Sequence, residues 1–224
     1  MPGARSTTPQ TKAPVVARLR LGDLSDGDPV ADLVRSADLE SVRYTDVLVE
    51  RLELGGARLD GVRLTRVTAD EADLKGARLT EVDLDQVSVP VVRAARGQWR
   101  DVQVSGRLGS VEAYESQWRS VHFVGCKLSY LNLRGAELLD VLFTDCVIEE
   151  LDLVGAAATR VALVDTRVAS LDVQGARLGD VDLRRATFDA VDGLVGLRGA
   201  TLSSDQLTRL APLLAAELGL RIED

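Results

Sequence analysis

A chain of 224 residues, 46% of them hydrophobic, is long enough for one continuous core, and its net charge of −8 sets it against nucleic acid and anionic membrane as direct partners. Aromatics make up only 4% and lysine occurs three times, so the core must be filled by small and branched side chains stacked regularly. No apolar run approaches the roughly 20 residues of a membrane span, the N-terminus lacks the apolar stretch of a signal peptide, and two cysteines are too few for a disulfide framework or a structural zinc site. A soluble, cytoplasmic protein without cofactor or metal is the expectation.

Residues 1–16 carry three prolines, several Ser and Thr and no acid, and are expected to form a disordered arm. Residues 17–36 follow a five-residue pattern poorly, blurred by Gly22, Gly27, Pro29 and Asp32. From Ala37 the chain divides cleanly into fives: ADLES, VRYTD, VLVER, LELGG, ARLDG and so on. The third residue of each group, its centre, is apolar from Leu39 to Val104 and again from Leu108 to Phe188. The residue two before each centre is small or aliphatic, and the other positions are mostly polar, charged or Gly.

A period of five suits neither a helix, which needs about 3.6, nor a half-buried strand, which needs 2. Two inward residues around one outward residue, followed by two turn residues, describe a very short strand and a corner. Four corners close a square coil, and stacked coils pair as parallel β-bridges. Groups twenty residues apart resemble one another more than neighbours do: Leu opens the group at 52, 131, 151 and 171, and Gly precedes Ala at 56, 76, 135, 155 and 175. Glycine fixed at one corner signals positive φ or close backbone approach.

This pattern, seen as Ala37-Asp38-Leu39 and Ala72-Asp73-Leu74, resembles the pentapeptide-repeat family over residues 37–195. The stretch Tyr130–Ala136 and the tail from Leu197 to Ile222 resemble actinobacterial members. The resemblance implies an all-β fold, a right-handed quadrilateral parallel β-helix over residues 17–200, of roughly nine coils and about 45 Å.

Gln98-Trp99-Arg100 and Gln117-Trp118-Arg119 are equivalent but lie nineteen residues apart, so one residue is missing, most simply in the group Val102–Ser105, and the coil is pinched near 102–106. Trp99 and Trp118 have two readings: rings filling space left by Ala94 and Ala113, or an aromatic patch offered to a partner. Residues 201–224 leave the repeat. Ser203 with Gln206 three later is a capping box, and Leu207, Leu210, Leu214 and Leu218 form a helical stripe that Pro212 should kink or split. The helix is expected to cap the last coil, which otherwise exposes backbone and apolar centres, or to join two copies as a homodimer.

Chemistry is sparse. His122 is the only histidine and sits outward; Cys126 and Cys146 occupy one inward position in adjacent coils and are expected as stacked buried thiols. No phosphate-cradling loop or nucleophile motif appears, so no enzymatic activity is expected. On the face bearing Leu52, the residues before the centre form an acidic stripe, Glu53, Asp73, Glu112, Asp152, Asp172 and Asp192, interrupted by Arg93 and Asn132. That stripe is the candidate surface of a protein-binding scaffold whose partner is unknown. Family members that mimic duplex DNA with an acidic surface are thought to protect DNA gyrase, so the resemblance implies gyrase as the alternative partner. The adjoining Arg58, Arg78 and Arg177 oppose mimicry.

Overall fold

The computed structural model describes residues 10–217 and 219–221. Its body is a parallel β-solenoid of about nine coils, closed at the far end by a short helix. Every strand pairing is parallel and links residues one coil apart, as Leu39 with Leu59, Leu59 with Leu79, and Leu151 with Leu171. Backbone hydrogen bonds run along the axis in the same way, for example from Leu54 N–H to Asp73 C=O at 2.8 Å.

The repeat explains this geometry. The centre and the residue two before it point inward, so Leu54, Ala57, Leu59, Val62 and Leu64 are all buried and the interior is one stack of matched layers. The fifth residue turns the corner. On three of the four corners it adopts the left-handed conformation, with φ between 50° and 71° at positions such as Gly56, Gly61, Arg66, Asp101, Ser120 and Asp140. None of the fifteen non-glycine residues there is β-branched, because branching at Cβ makes positive φ costly. At the fourth corner, where Glu71, Val91 and Tyr130 stand, no positive φ occurs and bulkier side chains are admitted.

The nineteen-residue spacing appears as a register shift. Leu84 pairs with Val104 but Val87 with Gly106, and Val124 pairs with Ser105 but Lys127 with Arg107. The missing residue is therefore the corner residue itself, the equivalent of Gln86 and Gly125. Gln86 N–H is satisfied instead by Ser105 Oγ at 2.8 Å.

Both ends are covered. At the start, Ser25–Asp26 pairs with Val42–Arg43, and a one-turn helix α1, Pro29–Asp32, is capped by Asp28 and accepts the Tyr44 hydroxyl on Asp32 at 3.0 Å. At the finish, helix α2 spans Ser204–Glu217. Its capping box is in place, with Ser203 N–H to Gln206 Oε1 at 2.8 Å and Gln206 N–H to Ser203 Oγ at 3.2 Å. Gln206 Nε2 also donates to the carbonyls of Leu183 and Ala186 at 2.6 and 2.7 Å, meeting backbone acceptors of the last coil. Leu210 and Leu214 pack against the core. Of the expected kink or split at Pro212, the split does not occur: α2 is continuous through it, with Pro212 and Thr208 both on the exposed side, where the carbonyl that loses its donor meets water. Leu218 and Ile222 lie outside the described residues, as do residues 1–9 of the expected arm.

The arm differs from expectation where it is described. From Thr11 to Ala17 it lies along the outside of one corner as an extended strap. Lys12 N–H donates to Asp180 Oδ1 at 3.1 Å, Val15 N–H to Asp140 Oδ1 at 2.9 Å and Ala17 N–H to Ser120 Oγ at 2.9 Å. Three residues thus cross two coils, or about 10 Å, as an extended chain must. Asp140 also holds Arg160 through both carboxylate oxygens at 2.6 Å. The hydrogen bonds from Arg160 lower the Asp140 carboxyl below its usual value of 3.8, against the opposing effect of burial. A depressed folded value means this contribution is complete above pH 3.8 and is lost as pH falls through the lower folded value. Asp140→Asn is expected to cost about 2 kcal/mol at pH 7 and to flatten the acid limb of a pH–stability profile below pH 4. An unchanged acid limb contradicts the role given to Asp140.

Candidate interaction surface

The faces are numbered by the order in which a coil visits them. The first carries the centres Leu39 to Leu178, the fourth the centres Leu54 to Val173. The acidic stripe lies on the fourth face, and much of it is occupied internally. Asp152 is 1% exposed: its carboxylate accepts from Arg134 Nε, from the Tyr130 hydroxyl at 3.2 Å and from Val154 N–H at 3.0 Å. Asp152 is therefore corrected from a candidate contact to a structural residue. Glu53 and Asp73 both lie near the Arg35 guanidinium, at 3.6 and 3.0 Å, and Arg93 pairs with Glu71. Glu112, Asp172 and Asp192 make no ion pair within 4.0 Å among the described residues.

The preference for Asp or Asn before the centre has a local cause. Asp73, Asn132, Asp152, Asp172 and Asp182 each accept, through a side-chain oxygen, the backbone N–H two residues on, at 2.9–3.1 Å. This contact closes the turn and satisfies a donor the corner leaves free. Part of the stripe is thus the signature of the fold.

Of the two readings of Trp99 and Trp118 the space-filling one agrees with their burial, and their place on the candidate interaction surface is corrected. They are 4% and 1% exposed, stacked at 4.9 Å between ring centroids, and continue into Phe123 and Phe143 at 5.5 and 5.1 Å. They form an internal aromatic column and offer no ring to a partner. Cys126 and Cys146 are free and buried as expected, and their mutual contact, with burial, pushes the Cys126 thiol above its usual range. His122 meets Thr144 Oγ1 at 3.0 Å, and burial lowers its pKa. Among the described residues no group of three His, Cys, Asp or Glu could hold a metal, and no helix is long and apolar enough to cross a membrane.

Helix α2 buries only part of its stripe. Leu210 and Leu214 serve the cap, whereas Leu207 and the neighbouring Leu213 are about half exposed.

The first face carries an open groove of about 750 Å³ over the tryptophan pair, lined by Arg58, Arg78, Arg100 and Arg119 with Gln98, Gln117 and one acid, Glu137. Arg58 and Arg78 stand before the centre and were legible there as residues opposing mimicry. Arg100 and Arg119 stand after it, in a second column, and only the two columns taken together show the cluster.

The family model described as pentapeptide repeats (8 copies) matches residues 53–86. No curated protein matches the chain. Among solved structures, a trypsin-treated variant of QnrB1, a plasmid-mediated fluoroquinolone resistance protein, is 14% identical over 89% of this chain and 96% of that one, with a TM-score of 0.34. HetL, a pentapeptide-repeat protein involved in heterocyst differentiation regulation from the cyanobacterium Nostoc sp. strain PCC 7120, is 17% identical over 76% and 91%, with a TM-score of 0.31.

Proposed function

We propose that this pentapeptide-repeat protein is a non-catalytic cytoplasmic scaffold that docks a protein partner on its first face. One observation carries the reading. Charges on the other faces are largely neutralised between adjacent coils, as in Arg66 with Asp46 at 2.6 Å, Arg63 with Asp83 at 3.0 Å and Arg96 with Glu115 at 2.8 Å. Around the groove of the first face Arg78 and Arg119 have no carboxylate within 4.0 Å among the described residues. A rigid, regular platform that carries four arginines around one groove is suited to recognition by complementary charge. A photo-crosslinking residue at Gln117 is expected to capture one discrete partner in cells, and the same probe at Asp172 none. Capture from Asp172 alone would move the docking site to the fourth face.

The reading as an acidic mimic of duplex DNA, acting on a gyrase-type topoisomerase, rests on the carboxylates left free, Glu112, Asp172 and Asp192. They span four coils, about 19 Å, where a duplex presents a charge every ~1.7 Å. That density favours the scaffold reading. Inhibition of gyrase supercoiling by the purified protein at micromolar concentration, lost in Asp172→Lys/Asp192→Lys, would reverse the preference.

A further inference from the structure

On the first face arginine meets arginine in register twice over. Arg43 and Arg63 are in register on the second face as well, but there each guanidinium has a carboxylate close by, Asp26 and Asp83. Arg58 is in register with Arg78, Arg100 with Arg119, and Gln98 with Gln117. Arg58 reaches Asp60 and Asp38 only at 3.5 and 4.0 Å, and Arg100 reaches Asp101 at 3.7 Å. Like charges directly opposed on parallel strands repel, and a carboxylate at either position would relieve the repulsion. Arg78 and Arg119 have no carboxylate within 4.0 Å among the described residues, and Arg58 and Arg100 have only these longer contacts.

We propose that this groove binds a short, extended acidic segment of a partner protein, whose carboxylates are taken by Arg58, Arg78, Arg100 and Arg119. The assignment rests on the reading of the first face as the docking surface. Guanidinium forks match carboxylates in a two-pronged geometry, which gives orientation as well as attraction. The cluster spans three coil steps, about 14 Å, the reach of four or five extended residues. Carboxylates bound it: Asp38 and Glu40 lie one coil before Arg58, Asp60 stands beside Arg58, and Glu137 lines the far end of the groove. A long polyanion would overrun the patch into like charge, and the net charge of −8 repels nucleic acid at a distance. The solenoid already holds one extended segment along its axis: its own residues 11–17, on the corner that borders this face.

The test is fluorescence anisotropy of a dye-labelled hexapeptide of alternating Asp and Glu, titrated with the full chain at low salt. Saturable binding is expected, weakened at least about tenfold in Arg78→Glu/Arg119→Glu, partly in Arg78→Gln/Arg119→Gln, and within about twofold of wild type in Arg177→Glu, which lies beyond Glu137. Circular dichroism melts confirm that each variant is folded. No binding by the wild type, equal binding by the double Glu variant, or tighter binding of a thymidine oligonucleotide of equal charge overturns the assignment. Failure of the peptide with crosslinking from Gln117 intact removes only the acidic segment; failure of both removes the docking face as well.

Discussion

Gly106→Ala is expected to destabilise the solenoid by about 4 kcal/mol, near the upper end for a single substitution. A Cβ at this position would stand 2.1 Å from the Val87 carbonyl oxygen and 2.6 Å from Val87 N, both backbone atoms that cannot step aside. Gly106 also has φ of 127°, a conformation side-chain-bearing residues rarely adopt. Both features follow from the missing corner: with one residue fewer, the chain must pass from the second face to the third by a shortcut that brings coil against coil. Gly125, the corresponding corner one coil on, has φ of 60°, and a Cβ added there would meet nothing within 4 Å, so Gly125→Ala should cost only about 1 kcal/mol. Chemical denaturation of the two variants side by side measures the difference. Equal costs would mean that the shortcut bears no special constraint.

Trp118→Ala is expected to cost about 4 kcal/mol, because it opens a cavity in the middle of the four-ring column from Trp99 to Phe143 and leaves Trp99 and Phe123 without their shared neighbour. Trp118→Phe should cost far less, about 1 kcal/mol. Phenylalanine keeps a stacked ring and removes the indole N–H of Trp118, which has no hydrogen-bond acceptor in the interior. Thermal melts of both variants separate these effects. A small loss in the alanine variant would show that the neighbouring coils collapse into the space.

Much of the solenoid is legible in the residues, because each coil repeats the same inward pair and so prints its geometry on the chain at a period of five. The nineteen-residue interval between Gln98 and Gln117 likewise locates the shortened coil, since a deletion shifts every later centre by one. What the period does not carry is contact between side chains in different columns. Asp152 reads as one more outward acid in a row, and only the fold shows Tyr130 and Arg134 closing over it. The strap is less legible still: residues 11–17 have no period, and their partners lie more than 100 residues away. Trp99 and Trp118 were legible as centres, and a centre in this repeat is buried by rule. The arginine cluster hid because it uses two columns, Arg58 and Arg78 before the centre and Arg100 and Arg119 after it.

In the proposed reading the in-register arginines of the first face are kept, against their own repulsion, for a partner, and the thermal midpoint of Arg78→Glu/Arg119→Glu at low salt tests this most directly. The substitutions turn both opposed pairs, Arg58 with residue 78 and Arg100 with residue 119, from like to unlike charge, worth about 1 kcal/mol together. For a chain of this size the midpoint should rise by about 3 °C, and the rise should shrink at high salt, while acidic-peptide binding is lost. A midpoint that stays or falls, with binding retained, would contradict the account.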